Sequence, residues 1–94
     1  MLPDVWADFE GAKWYAAESL ETEGFIHCSF ESQIEGVLER YYSGVKMVLL
    51  LEIDPKKLDS ELRLEKSTND ELFPHIYGKI NLDSVLDVTK RELH

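Results

Sequence analysis

One amphipathic stripe constrains this chain more than any other feature. Ile34, Val37, Leu38 and Tyr41 recur at i, i+3, i+4 and i+7, while Glu31, Glu35 and Glu39 take the opposite side. That is the pattern of a helix with one face on a core. Ser29 is placed to cap its start and Gly44 to close it, so the spacing predicts a helix over about residues 30–43. Gly36 falls inside it and weakens it by roughly 1 kcal/mol relative to alanine. Close packing against a strand is the expected reason for a glycine there.

The other patterns are shorter. Pro3 suits a first helical turn, Val5, Trp6 and Phe9 follow at helical spacing, and Gly11 is expected to end that helix. Trp14 and Tyr15 read as irregular or extended. Ser19 to Glu23 reads as one turn of helix stopped by Gly24. Met47 to Ile53 is an apolar run that suggests a central strand buried on both faces. Asp54-Pro55 opens a turn with Leu58 pointing inward. Leu62 and Leu64 alternate with Arg63 and Glu65, as in a half-buried strand. Ser67 to Asp70 reads as a polar loop. Phe73 to Tyr77 reads as a strand entered at a proline, which suits a strand start or edge. Leu82 to Val85 suggests a turn, and Val85 to Thr89 alternates again. One substantial helix and several strands without strict βα alternation give an α+β class, with a small split or curved mixed sheet under the main helix.

Ninety-four residues suffice for one domain, expected to span residues 1–94. A hydrophobic fraction of 44% argues against disorder. A net charge of −9 weighs against general binding to nucleic acid or to an anionic membrane, because both need a positive surface. The single cysteine excludes an intramolecular disulfide, and no apolar run is long enough for a spanning helix. A cytoplasmic setting is the resulting expectation.

Two segments look like a site. In Gly24-Phe25-Ile26-His27-Cys28-Ser29, strand alternation puts His27 and Ser29 on one face, with Ile26 and Cys28 on the other. In Phe73-Pro74-His75-Ile76-Tyr77-Gly78, His75 and Tyr77 share a face. If the two polar faces meet, they line a cleft with two imidazoles, a hydroxyl and a phenol. The bland alternative is a pair of structural histidines. A phosphate at the helix start is opposed by Glu31 in the first turn. Cys28 beside His27 lacks any metal-ligand spacing, so no metal is expected. Cys28 also reads as a small core residue and not a nucleophile. Arg63 could hold a carboxylate or phosphate, and Glu65 could polarise a hydroxyl; a surface ion pair between them is the structural alternative. Gln33, one turn into the helix, could reach the Ser29 region. His94 is the last residue and is expected to fray.

These segments carry a resemblance. Ser19-Leu20, Glu23 through Ser29, Gln33, Leu50 with Ile53-Asp54, Leu62-Arg63 with Glu65, and Phe73 through Gly78 together resemble the bacterial "domain of unknown function" family number nine-five-two. Leu82-Asp83 and Val85 also fit, and the likeness runs from about Trp14 to Val88. The resemblance implies a fold similar to the ADP-ribosyltransferases, with NAD or an ADP-ribose-like ligand as a possible cofactor, and a distant likeness to RNA phosphotransferases. On it, His27, Ser29, Gln33, Arg63, His75 and Tyr77 would bind a nucleotide-like or small anionic ligand. His27, His75 and Glu65 would be the catalytic candidates, with Glu71 a further acidic one. Family members begin with an extra strand bearing a Tyr-His pair, which this sequence lacks. That implies an exposed strand edge open to homodimerisation and puts enzymatic activity in doubt. A non-catalytic interaction protein with structural histidines is the remaining reading.

Overall fold

A computed structural model describes residues 1–93. His94, expected to fray, lies outside the described residues. The chain is α+β, and every strand pairing among the described residues is antiparallel, so the expected mixed sheet is corrected. Backbone contacts group the chain into two units.

The first unit comprises Met1–Tyr15, Gly44–Asp59 and the described residues from Ile80 on. Helix α1 (Pro3–Ala12) begins at the expected proline but runs past Gly11. Lys13 ends it by taking the left-handed conformation (φ 67°), with its amide donating to the Phe9 carbonyl. Strand β1 (Trp14–Tyr15) pairs with β6 (Ile80–Asn81), and β3 (Met47–Ile53) pairs with β7 (Val85–Glu92). β3 is therefore half of a two-stranded ribbon and not a central strand. Only Val48 in it is fully buried, and Met1 exchanges backbone hydrogen bonds with Leu49. Phe9 packs edge-on to Trp6 and stacks on Tyr15. The buried Asn81 side chain donates to the Lys57 carbonyl and accepts from the Asp59 amide, so its burial leaves no polar cost.

The second unit comprises Ala16–Ser43 and Ser60–Lys79. It holds α2 (Glu18–Thr22), β2 (Ile26–His27), α3 (Ile34–Tyr41), β4 (Glu61–Lys66) and β5 (Leu72–Tyr77). Gly24 stops α2 at φ 90°, as its position suggests. The main helix starts differently from the expectation. Glu31–Gln33 form a 3₁₀ turn ahead of α3, and Phe30 rather than Ser29 stands before it. The Gln33 side chain explains the tighter start. Its carbonyl accepts the Phe30 amide, and its amide donates to the Leu72 carbonyl. Gly36 faces only the Arg40 side chain of its own helix, so the expected strand contact is absent there.

The three strands order β2-β5-β4. Pro74 suggested a strand start or an edge; it lies near the start of β5, but β5 is the central strand. The register shows why the proline is tolerated. The Pro74 carbonyl accepts from the Cys28 amide, so its nitrogen side also turns toward β2. Toward β4, Pro74 therefore sits at a position that needs no amide hydrogen. Toward β2, proline cannot return the second bond of the Cys28 pair, and β2 stops at His27.

Candidate functional site

The register of the three-stranded sheet builds the site. His27 lies directly opposite His75, and His75 directly opposite Arg63. Because the neighbouring Cys28–Pro74 position carries the hydrogen bond, His27 and His75 form a non-hydrogen-bonded pair, the kind that brings side chains closest. Their rings stand edge to face with centroids 5.4 Å apart. Glu61, Arg63 and Glu65 share this face with Phe73, His75 and Tyr77, by strand alternation. Phe25 lies over it. Its ring stacks on His75 at 4.1 Å, meets His27 edge-on at 4.8 Å and tilts against Tyr77 at 5.4 Å.

The two histidines differ in setting. His75 is 3% exposed. Its Nδ1 lies 2.9 Å from Glu65 Oε1, the same oxygen that accepts the Tyr77 hydroxyl, while its Nε2 is buried without a partner. His27 is half exposed, and its Nε2 pairs with Glu23 at 2.8 Å. The hydrogen bonds from Tyr77 and then His75 hold the Glu65 carboxyl below the usual carboxylate range, and the Glu65 bond raises the Tyr77 phenol. The Arg63–Glu65 surface pair weighed as the structural alternative does not form. Arg63 binds Glu61 at 3.0 Å, which lowers the Glu61 carboxyl and raises the guanidinium, and lies 4.4 Å from the Tyr77 ring centre.

These shifts fix a pH response. A folded-state carboxyl held low contributes stability that is complete above its unfolded value near 4.5 and lost as pH falls through the folded value. A phenol held high contributes stability that is complete below 10.0 and lost as pH rises through the folded value. Melting temperature should therefore fall below pH 4.5 and again above pH 10. Tyr77→Phe should flatten the alkaline limb in a thermal-melt series. An unchanged alkaline limb in that variant would show that the Tyr77–Glu65 bond adds nothing.

Beside His27 lies an open pocket of about 550 Å³. His27, Cys28 and Ser29 form one part of its lining, with Val37, Tyr41, Tyr42 and Phe73 supplying apolar and aromatic wall. Cys28 was expected to face away from His27, but the strand ends at His27 and both border the pocket. Burial pushes the Cys28 thiol up to about 11, which suits a packing residue and not a nucleophile. His75 lies outside the lining, next to His27 across the sheet and two residues beyond Phe73 on the same face. Gln33 and Glu71 lie elsewhere. The Gln33 amide is spent on Leu72 and Glu71, fixing the start of the main helix to the start of β5. Among the described residues, no three His, Cys, Asp or Glu side chains cluster closely enough for a metal ion. Sequence reasoning missed Phe25, Glu23 and Glu61. Each carried a signal: Phe25 and Glu61 precede His27 and Arg63 by two residues, and Glu23 precedes His27 by four.

The model of a family described as "Protein of unknown function (DUF952)" matches residues 1–88. The chain belongs to this family. Among solved structures, the DUF952 chain is similar to protein CC0527 from Caulobacter crescentus, a Northeast Structural Genomics Consortium target. The TM-score is 0.89 at 21% identity, covering 100% of this chain and 83% of that one. A double mutant of CC0527 gives the same TM-score at 20% identity, with the same coverage. At that identity the likeness establishes the fold. No curated protein matches the sequence. No helix among the described residues of this DUF952 domain is long and apolar enough to cross a membrane.

Proposed function

We propose that this domain binds a small nucleotide-like ligand in the pocket beside His27, the planar ring resting against its aromatic wall. The lining carries the reading: Tyr41, Tyr42, Phe73 and the His27 ring offer π surface, while the Ser29 and Ser67 hydroxyls can orient a polar edge. A simple anion is served less well. The ionisable imidazole and carboxyl groups of the lining, His27 and Glu23, are already paired with each other. Catalysis on NAD or an RNA phosphate in an ADP-ribosyltransferase-like manner would call for a cation free to meet phosphate. Arg63 is instead held by Glu61 and lies over Tyr77. Binding is accordingly the function this geometry supports best.

An amide NMR titration of the full chain with adenosine, AMP, NAD, ADP-ribose and inorganic phosphate tests this. Saturable shifts should appear at residues 27–29, 37–42 and 73 with the ring-bearing ligands, and only weakly with phosphate. Silence from every ring-bearing ligand, or an equal response to phosphate alone, would contradict it.

A further inference from the structure

The outer edge of β4 is open. The strands order β2-β5-β4, so β4 has a hydrogen-bonded neighbour on one side only. The register fixes which of its backbone groups point outward. Leu64 lies opposite Pro74, whose carbonyl turns toward β2 to accept the Cys28 amide. Leu64 and Pro74 are therefore a non-hydrogen-bonded pair, and the N–H and C=O of Leu64 face away from β5. By alternation the same holds for Leu62 and Lys66. The Ser67 amide agrees with this phase, since it donates inward to the Glu71 carbonyl. Among the described residues no strand meets this outward row of donors and acceptors. Such an edge is a template for another strand. Leu64, at its middle, is 52% exposed.

The side chains suit one occupant, the same strand of a second copy. Antiparallel pairing must match outward-facing groups with outward-facing groups, so Leu62, Leu64 and Lys66 must meet one another. The register centred on Leu64 does this over the whole strand. It sets Leu64 opposite the partner's Leu64 and Leu62 opposite the partner's Lys66. Arg63 then lies opposite the partner's Glu65, once on each side of the two-fold axis. These two contacts fall at non-hydrogen-bonded positions, where side chains come closest. A slip of two residues one way sets Arg63 against the partner's Arg63 and Glu61 against the partner's Glu65. A slip of two the other way sets Glu65 against the partner's Glu65, and longer slips leave half the strand or more unpaired. The charged groups can serve a partner. Both intrachain bonds to Glu65 end on Oε1, so Oε2 is left to accept. Arg63 is half exposed and spends one nitrogen on Glu61.

We propose that β4 is the interface of a homodimer, in which two copies pair antiparallel across Leu64 and each Arg63 meets the partner's Glu65. The two three-stranded sheets join edge to edge. The same surface serves both copies, so the pairing uses up both β4 edges and closes on itself. One six-residue strand is a small interface, and a net charge of −9 on each copy opposes approach. The association is therefore of the weak class, with a Kd on the order of 100 μM.

Sedimentation equilibrium of the full chain from about 10 μM to about 1 mM reads the association. The native chain should pass from monomer toward dimer across that range. Leu64→Lys and Leu64→Glu each set like charges across the two-fold axis, and each should weaken the dimer at least about tenfold. An equimolar mixture of the two variants should recover dimer, because the new charges are then opposite. Arg63→Gln removes two exposed ion pairs at once by symmetry and should weaken the native dimer about fivefold. A native chain still monomeric at about 1 mM would overturn the proposal. Leu64 variants that dimerise like the native chain would do the same. So would folded Leu64 variants that stay monomeric on mixing, since Leu64 would then not face its counterpart. If circular dichroism shows the Leu64 variants unfolded, Arg63→Gln decides: unchanged association there overturns the pairing.

Discussion

Ile76→Ala is expected to lower the unfolding free energy by about 3–4 kcal/mol, since isoleucine-to-alanine changes in packed interiors cost 2–5. Ile76 is fully buried, in the central strand of the three-stranded sheet, opposite Ile26 on one side and Leu62 on the other. It faces away from the histidines, so the loss acts on the support of the site and not on its chemistry. For a chain of this size each kcal/mol moves the midpoint by about 4–8 °C, so the melt should fall by more than about 12 °C. Urea unfolding followed by circular dichroism gives the free energy directly. A change below about 1 kcal/mol would mean that the sheet is not anchored at this position.

Gly78→Ala is the second large effect. Gly78 takes φ 153°, and a Cβ there would lie within 3.0 Å of the Ser60 Cβ. Ser60 cannot simply step aside, because its hydroxyl donates to the Lys79 carbonyl at 2.7 Å. Strain and overpacking together should cost about 2–3 kcal/mol. Adding Ser60→Gly should recover the steric part and leave the conformational part. If Gly78→Ala melts like the native chain, the close approach is wrong. If the double variant recovers nothing, backbone strain accounts for the whole loss.

The sequence displayed the fold unevenly, and the reasons are physical. The helix stripe at Ile34, Val37, Leu38 and Tyr41 was legible because helical periodicity is a local property. The strands were legible for the same reason. Their partners were not, since pairing depends on contacts between residues as distant in sequence as Trp14 and Asn81 or His27 and His75. Pro74 shows this best. Read alone it marks a strand start or an edge, and only the register with β2 and β4 shows that its missing amide hydrogen falls where β2 ends. Gly11 and Gly36 illustrate the opposite error. Both invited structural roles as glycines, while the helix end fell to Lys13 and no strand approaches Gly36.

The candidate site was half legible. Alternation correctly set His75 and Tyr77 on one face, and the two histidines do meet across the sheet. The Arg63–Glu65 pairing failed because two partners, His75 and Tyr77, compete for Glu65 from the adjacent strand and Glu61 is available to Arg63. Phe25 was missed because an aromatic on a strand reads as core. Here it bridges His27, His75 and Tyr77.

The affinity of His27→Ala for adenosine, set beside its melting temperature, probes the binding site most directly. His27 is half exposed and its ion pair with Glu23 lies at the surface, so removing it should shift the melt by no more than a few degrees. Adenosine binding by titration calorimetry should weaken about tenfold or more, because the variant loses both ring surface and a polar contact at the pocket rim. Native affinity in a fully folded His27→Ala would contradict the assignment of this pocket as the ligand site.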